Sequence, residues 1–107
     1  MAGMIDNLEK LIGTPRDGAL LRYSLGLEHA KAGNADRAVE YLREAVARDP
    51  KFSAAWKALG KVLQDIDPAA ALQAYRQGIE AARAKGDRQA EKEMTVFARR
   101  LEKKGSA

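Results

Sequence analysis

The feature that most constrains this chain is a glycine at the centre of a segment that otherwise has the pattern of a helix. The stretch SAAWKALGKVL, which begins at Ser53, is rich in Ala, Leu and Lys and has its large apolar side chains at helical spacing. A glycine inside a helix costs about 1 kcal/mol relative to alanine, yet Gly60 lies on the same face as the only tryptophan, Trp56. The same Leu-Gly pair occurs 34 residues earlier, at Leu25 and Gly26. We therefore interpret each glycine as the contact point of two close helices, which a larger side chain would hold apart.

Helix start and stop signals divide the rest of the chain into segments of helical length. Thr14-Pro15, Asp49-Pro50 and Asp67-Pro68 each combine an N-cap residue with a proline suited to the first helical turn. Gly33-Asn34 and Gly86-Asp87 separate one helix from the next. Because few residues connect these segments, we expect consecutive helices to pack antiparallel. The predicted helices cover residues 4–12, 16–32, 35–48, 51–65, 68–84 and 87–104.

Two copies of one helix-turn-helix pattern lie in phase along the chain. In each copy, a Leu-Gly pair in the first helix is followed by an alanine in the second helix and then, four residues later, by a large side chain. The pattern consists of Leu25, Gly26, Ala38, Leu42 and Pro50 in the first copy and of Trp56, Leu59, Gly60, Ala71 and Tyr75 in the second. It resembles the tetratricopeptide repeat, a unit of 34 residues that ends in proline.

This resemblance implies an all-α fold, a short α-solenoid built from antiparallel helix-turn-helix repeats with about five to six helices. Arg22 departs from the family pattern, because a large apolar residue usually stands at its position. The second copy lacks the closing proline, so we expect its second helix to extend towards Gly86. The single domain divides into residues 1–16 (N-terminal helix and turn), 19–52 (first repeat), 53–85 (second repeat) and 86–107 (capping helix).

Both terminal helices have an apolar face that needs a partner. We expect the N-terminal helix to cap the first repeat; covering the groove or pairing with a second chain are the alternatives. The face of the C-terminal helix, with spacing i, i+4, i+7 and i+11, should pack on the second repeat. The faces consist of Ile5, Leu8 and Leu11 or Ile12 in the first case and of Ala90, Met94, Phe97 and Leu101 in the second.

Charge is distributed unevenly along the chain. The first 75 residues hold ten basic and ten acidic side chains, whereas the rest hold nine basic and five acidic ones, so the net charge of +4 lies in the last third. Part of it would form a basic stripe on the C-terminal helix that could contact phosphates. Three glutamates dilute the stripe and no exposed aromatic residue accompanies it, so nucleic acid is the less favoured partner. The stripe consists of Arg88, Lys92, Arg99 and Lys103, diluted by Glu91, Glu93 and Glu102.

No constellation of residues indicates catalysis. The chain lacks cysteine, and its single histidine, His29, has no carboxylate, nucleophile or second ligand at a useful spacing. Asp65 and Asp67 lack the longer frame of a calcium loop, so Asp67 is better explained as an N-cap. We expect no enzyme activity, cofactor or metal. Without a signal-peptide pattern or an apolar run of roughly 20 residues, we expect a soluble cytoplasmic protein that does not enter membranes.

In tetratricopeptide arrays, the first helix of each unit lines a concave groove that binds peptides or partner segments. Some members hold a peptide carboxylate there with a clamp of Lys and Asn, but Tyr23 and Leu27 occupy the first-unit positions of that clamp in this chain. Lys57 and Lys61 are one helical turn apart, so a carboxylate-bearing ligand would relieve their repulsion. Carried over by position, the groove residues are Leu20, Tyr23, Leu27, Lys31, Ala54, Lys57, Lys61, Gln64 and Asp65.

The sequence therefore predicts a non-catalytic protein–protein interaction module. Its groove should bind an acidic peptide or partner segment that carries an apolar anchor. One alternative is a structural or self-assembling unit, which would form a concentration-dependent homodimer and ignore charge reversal at Lys57 and Lys61. A nucleic-acid binder that uses the basic C-terminal helix ranks below it and would lose affinity steeply as salt rises.

Overall fold

The computed structural model describes residues 3–106, and over that range the chain consists of six α-helices and no strand. This confirms the all-α prediction. Each helix packs against the next one along the chain, and the short connections make neighbouring helices antiparallel. No helix within this range is both long enough and apolar enough to cross a membrane. The helices are α1 (Met4–Glu9), α2 (Ala19–Lys31), α3 (Ala35–Arg48), α4 (Ser53–Leu63), α5 (Pro68–Lys85) and α6 (Arg88–Ser106).

The start of α5 follows the predicted combination of an N-cap and a proline. Pro68 is the first residue of the helix, and the Asp67 carboxylate accepts a hydrogen bond from the Ala70 backbone N–H at 3.2 Å. At the other end, Gly86 has a φ of +74°, a conformation that favours glycine, and the helix ends at Lys85. The expected extension of the second repeat towards Gly86 is confirmed.

The predicted start of α2 directly after Thr14 is wrong, because the helix begins at Ala19. The Thr14 hydroxyl donates a hydrogen bond to the Leu11 carbonyl oxygen and accepts one from the Arg16 backbone N–H at 3.2 Å. Both bonds belong to a tight turn after α1, so the hydroxyl does not serve as a helix cap. α1 is correspondingly shorter than predicted and ends at Glu9.

α4 also begins later than the Asp49-Pro50 signal predicts, at Ser53. The Asp49 carboxylate accepts a hydrogen bond from the Lys51 backbone N–H at 3.2 Å, which closes a local turn instead of capping a helix. The Pro50 carbonyl oxygen accepts a hydrogen bond from the Trp56 indole N–H at 2.8 Å. The tryptophan thereby holds the connection between the two repeats against the helix that follows it.

Two glycines lie where the helices of each repeat approach most closely. A Cβ atom on Gly26 in α2 would be 2.6 Å from Leu42 Cγ in α3, and one on Gly60 in α4 would be 2.7 Å from Tyr75 Cδ1 in α5. Neither position accepts a side chain without displacement of its neighbour. The remaining repeat residues around these two contacts are Leu25, Ala38, Leu59 and Ala71, all of which are buried.

A third glycine, Gly78 in α5, joins the second repeat to α6. A Cβ atom there would be 2.8 Å from Trp56 Cβ and 3.1 Å from Met94 Cε. The sequence pattern does not single out this glycine, because it lies outside the repeated Leu-Gly pair. Gly78 therefore lets α5 contact the helices on both of its sides closely.

Both terminal helices cover the repeats. The apolar side of α1 packs on α2 and α3, which confirms that it caps the first repeat; Leu11 takes part in this contact, whereas Ile12 is exposed. The apolar side of α6 packs on the second repeat, as expected. The contacting residues are Ile5 and Leu8 of α1 with Leu11 of the turn after it, and Ala90, Met94, Phe97, Ala98 and Leu101 of α6.

Candidate interaction groove

The first repeat contributes apolar side chains to the candidate groove. Tyr23 in α2 packs against Phe52, which directly precedes α4, with ring centroids 4.8 Å apart. Its ring therefore lies at the seam between the first helices of the two repeats. Leu27 is half-buried one turn further along α2, and Leu20 is 68% exposed. Lys31, the last residue of α2, is exposed and forms an ion pair within its own helix at 3.2 Å.

The two lysines of α4 lie beside α6. Lys57 Nζ is 3.4 Å from Glu93 Oε1, and Lys61 Nζ is 5.6 Å from the centroid of the Phe97 ring. Ala54, near the start of α4, is half-buried. α6 is thus a third helix along this surface, which the groove assignment from the sequence does not include.

Gln64 and Asp65 lie at the end of α4. The Tyr75 hydroxyl donates a hydrogen bond to Gln64 Oε1 at 3.0 Å. Burial and, after it, the nearby Asp65 carboxylate raise the pKa of Tyr75 to about 12. The hydroxyl therefore stays protonated at neutral pH and keeps the Gln64 side chain in place.

A cavity of about 190 Å³ lies between α4 and α6 at this end of the groove. Two of its lining residues are half-buried apolar side chains, three are cations and one is a carboxylate. None of the three cations forms an ion pair with another residue in the described part of the chain. The cavity therefore combines an apolar interior with a net positive charge. It is lined by Lys61, Gln64, Asp65, Phe97, Arg100, Leu101 and Lys104.

Sequence reasoning missed the contribution of α6 to this surface. It assigned Phe97 and Leu101 to packing alone and did not consider Arg100 and Lys104. A signal was present, because the two cations have the same i, i+4 spacing as the lysine pair of α4. This spacing can be recognised if α6 is treated as the first helix of a third repeat.

Arg22 is buried in a polar cluster near the N-terminal end. Its guanidinium donates hydrogen bonds to both carboxylate oxygens of Asp17, at 2.9 and 3.0 Å, and a third to Glu44 in α3. The guanidinium holds the pKa of Asp17 well below its usual range, and the same hydrogen bonds raise the pKa of Arg22. Its donors are thus directed to carboxylates of the chain itself, which accounts for a cation at a usually apolar position.

His29 packs inside the first repeat. Its ring stacks on Tyr41 with centroids 5.4 Å apart, and its Nδ1 atom lies 3.4 Å from Asn34 Nδ2. Its Nε2 atom is buried and has no hydrogen-bond partner among the described residues. Within residues 3–106, no group of three or more His, Asp and Glu side chains could hold a metal ion. The histidine is therefore assigned to the packing of α2 on α3.

Comparisons with known proteins agree with this architecture. A family model described as tetratricopeptide repeat matches residues 19–62. A TPR repeat-containing protein of Pseudomonas aeruginosa is 52% identical over 101 residues, which cover 94% of this chain and 96% of that protein.

Two solved structures have the same fold. The solution structure of a protein from Bordetella parapertussis has 42% sequence identity and a TM-score of 0.80, covering 97% of this chain and 91% of that one. The solution structure of a tetratricopeptide repeat domain protein from Salinibacter ruber has 35% identity and a TM-score of 0.74, covering 82% and 89%. The match to the repeat model, the near full-length relative and these structures together show that the chain belongs to the tetratricopeptide repeat family.

Proposed function

We propose that this chain is a non-catalytic interaction module that binds an acidic segment of another protein in the groove along α2, α4 and α6. The tetratricopeptide repeat fold generally mediates protein–protein interaction, and its members are typically non-catalytic. The observation that carries the finer proposal is the cavity between α4 and α6, whose lining combines cations with an apolar interior. A carboxylate next to a large apolar side chain matches this chemistry.

The contact between Lys57 and Glu93 supports the same ligand chemistry. Here α6 itself brings a carboxylate to 3.4 Å from a groove lysine. Both side chains are partly exposed, and exposed ion pairs of this kind contribute only about 0–1 kcal/mol. A ligand carboxylate could therefore replace Glu93 at little cost, while Lys61 has no ion-pair partner among residues 3–106 to give up.

The apolar anchor of the ligand would contact the first repeat. Leu20 is largely exposed, and Tyr23 and Leu27 are only half-buried on α2. An extended segment that crosses from α4 to α2 would place its acidic residues at the lysines and its apolar side chain at these three residues. The order of acidic and apolar residues along the ligand sequence is therefore a testable property.

A display library of random short peptides, selected on the immobilised domain, tests the proposal. We expect the selected peptides to carry acidic residues beside a large apolar one. Their binding should be lost in the Lys57→Glu/Lys61→Glu variant, after circular dichroism has shown that the variant is folded. The matched control is Arg88→Glu/Lys92→Glu, which makes the same change of charge outside the groove and should bind as the wild type does.

Two results would contradict the proposal. Selection of peptides without acidic residues would remove the basis for the role of the lysines. Equal binding by the wild type and the Lys57→Glu/Lys61→Glu variant would move the site to another face. In the second case, a concentration-dependent dimer in analytical ultracentrifugation would favour the self-assembling alternative.

A further inference from the structure

The acidic side chains of α6 all form ion pairs with other helices, whereas none of its six basic side chains forms an ion pair with a described residue. Its three glutamates form ion pairs at 3.0 to 3.4 Å with cations of α4 and α5. Six cations of α6 form no ion pair with any described residue, so the glutamates do not neutralise them. The outer surface of α6 is therefore more strongly basic than the sequence indicates. The pairs are Glu91 with Arg83, Glu93 with Lys57 and Glu102 with Arg76; the other cations are Arg88, Lys92, Arg99, Arg100, Lys103 and Lys104.

The register of the repeats shows which face of α6 is open. Leu25, Leu59 and Met94 are the fully buried residues at the centres of α2, α4 and α6. In the first two helices the next residue is the glycine that receives the second helix of the repeat. In α6 the next residue is the small, half-buried Thr95, and within residues 3–106 α6 contacts no helix other than α4 and α5. Val96 beside it is 44% exposed.

A broad depression of about 790 Å³ lies on this open face. Thr95 and Val96 provide a small, mostly apolar centre. One carboxylate, Glu91, also lines the depression, but it pairs with Arg83 at 3.0 Å, which leaves three cations around the centre that pair with no described residue. Arg88, Lys92 and Arg99 are spaced at i, i+4 and i+11 along the same side of α6. The size of the depression, the alignment of α6 with α2 and α4, and the positive charge of this face all match the place where the second helix of a third repeat would pack.

We infer that the open face of α6 docks an amphipathic helix of a partner protein, with its apolar stripe on Thr95 and Val96 and acidic residues on both flanks. This helix would contact α6 as α3 contacts α2 and α5 contacts α4. The site is separate from the groove and does not depend on the proposed function. A symmetric pairing of two copies through this face would bring the cations of both copies together, which disfavours self-association here.

The observations favour a helix over a nucleic acid. Phosphates would use the cations but gain nothing from the apolar centre, and no aromatic residue of α6 is exposed for base stacking. A docked helix uses both features, so it depends on the side chain at position 95. This difference separates the two partners experimentally.

The test uses a designed helical peptide with a leucine and alanine stripe flanked by glutamates, and measures its binding to the whole domain by isothermal titration calorimetry. The Arg88→Glu/Arg99→Glu variant should bind it at least about tenfold more weakly. Thr95→Leu fills the space into which the docked helix would pack and leaves the charge unchanged, so it should weaken binding to a similar extent. The groove variant Lys57→Glu/Lys61→Glu should bind the peptide as the wild type does, so failure of this inference is distinguishable from failure of the proposed function.

Several outcomes would overturn the inference. Equal binding by the wild type and Thr95→Leu would mean that only charge is recognised. Tighter binding of a duplex oligonucleotide than of the peptide, with an affinity that Thr95→Leu does not change, would make nucleic acid the partner of this face. Unchanged affinity when the glutamates of the peptide are replaced by glutamines would remove the role of the cations. Self-association of the wild type that Arg88→Glu/Arg99→Glu alters would make a second copy the occupant of this face.

Discussion

The two repeats share a backbone pattern but are held together by different chemistry. At the position where the second repeat has Trp56, the first has Arg22, whose partners are two carboxylates. Where the second repeat has the buried Leu63, the first has His29, stacked on a tyrosine. Ion pairs and aromatic contacts therefore fill the first repeat at positions that apolar side chains fill in the second.

The surroundings of the repeats account for this difference. The second repeat lies between the first repeat and α6, so apolar side chains cover both of its sides. The first repeat is covered by the short α1 and the turn after it, which supply Asp17 to Arg22 and Glu9 to the Tyr41 hydroxyl at 2.7 Å. A terminal repeat needs polar groups at its outer side. The same fold also accepts a buried cation when the chain supplies carboxylates to pair with it.

Replacing the close-contact glycines should give the largest difference between the repeats in the free energy of unfolding. Gly60→Ala gains about 1 kcal/mol of helix propensity, but its Cβ would collide with the fully buried Tyr75 ring. Overpacking typically costs about 1–3 kcal/mol, so after the gain in helix propensity we expect a net loss of up to about 2 kcal/mol in the free energy of unfolding. Gly26→Ala should cost less, because Leu42 can adjust more easily than a ring. Urea unfolding followed by circular dichroism measures both.

The control for this pair is Gly105→Ala. Among the described residues, a Cβ atom on Gly105 in α6 would meet no side chain apart from those of its two chain neighbours and no other helix within 4 Å, so alanine should be neutral or stabilising there. If Gly60→Ala unfolds at the same urea concentration as the wild type, the close contact assigned to the second repeat is wrong.

Acidification should weaken the first repeat through Asp17. Its carboxyl pKa is held below the ordinary value of 3.8, chiefly by the hydrogen bonds from Arg22. The stabilisation is therefore fully present well above pH 3.8 and is lost as the pH falls from there towards the lower folded-state pKa. Asp17→Asn should be less stable at neutral pH and should lose less stability on acidification. Urea unfolding at a series of pH values measures this.

The control for the acid effect is Asp6→Asn, which removes an exposed carboxylate of α1. Its pH profile should run parallel to that of the wild type. A profile of Asp17→Asn that also ran parallel would show that the Asp17 ion pair does not stabilise the fold.

Replacing His29 with leucine, the residue type at the equivalent position of the second repeat, should stabilise the protein. The His29→Leu variant removes a buried nitrogen without a hydrogen-bond partner among the described residues, a group that typically costs about 1–3 kcal/mol. Loss of the Tyr41 stacking opposes part of this gain, so we expect the free energy of unfolding to rise by about 1 kcal/mol. Thermal unfolding followed by circular dichroism gives the result, and a less stable variant would show that the histidine itself stabilises the repeat.

The smallest effect on stability should come from Glu93→Gln. The exposed ion pair with Lys57 contributes little, so the free energy of unfolding should change by no more than about 0.5 kcal/mol. Binding of an acidic groove peptide should nevertheless strengthen, because Lys57 becomes available to it. Glu80→Gln breaks an ion pair inside α5 and should leave peptide affinity unchanged. Fluorescence anisotropy with a labelled peptide measures both, and equal affinities would argue against competition by Glu93.

The success of the helix predictions depended on how local each signal is. The Asp67 cap was predicted correctly, because its carboxylate and the Ala70 N–H are three residues apart. The Thr14 signal failed because the hydroxyl bonds within the turn after α1. The Asp49 signal failed similarly, since its carboxylate bonds to Lys51 while Trp56 binds the proline between them. Alternative local bonds of similar strength are not distinguished by residue type alone.

The sequence by itself determined the repeated helix pairs, the contact glycines of the two Leu-Gly pairs and the apolar faces of the terminal helices, because periodicity along one helix specifies which side is buried. Only the tertiary structure decided what the groove lysines face and what surrounds Arg22. The bond from Lys57 to Glu93 spans 36 residues, and the one from Arg22 to Glu44 spans 22. Such pairs depend on how successive helices are stacked and rotated, which no short stretch of sequence encodes. The open basic face of α6 has the same origin, because its glutamates meet their cation partners only when α4 and α5 are in place.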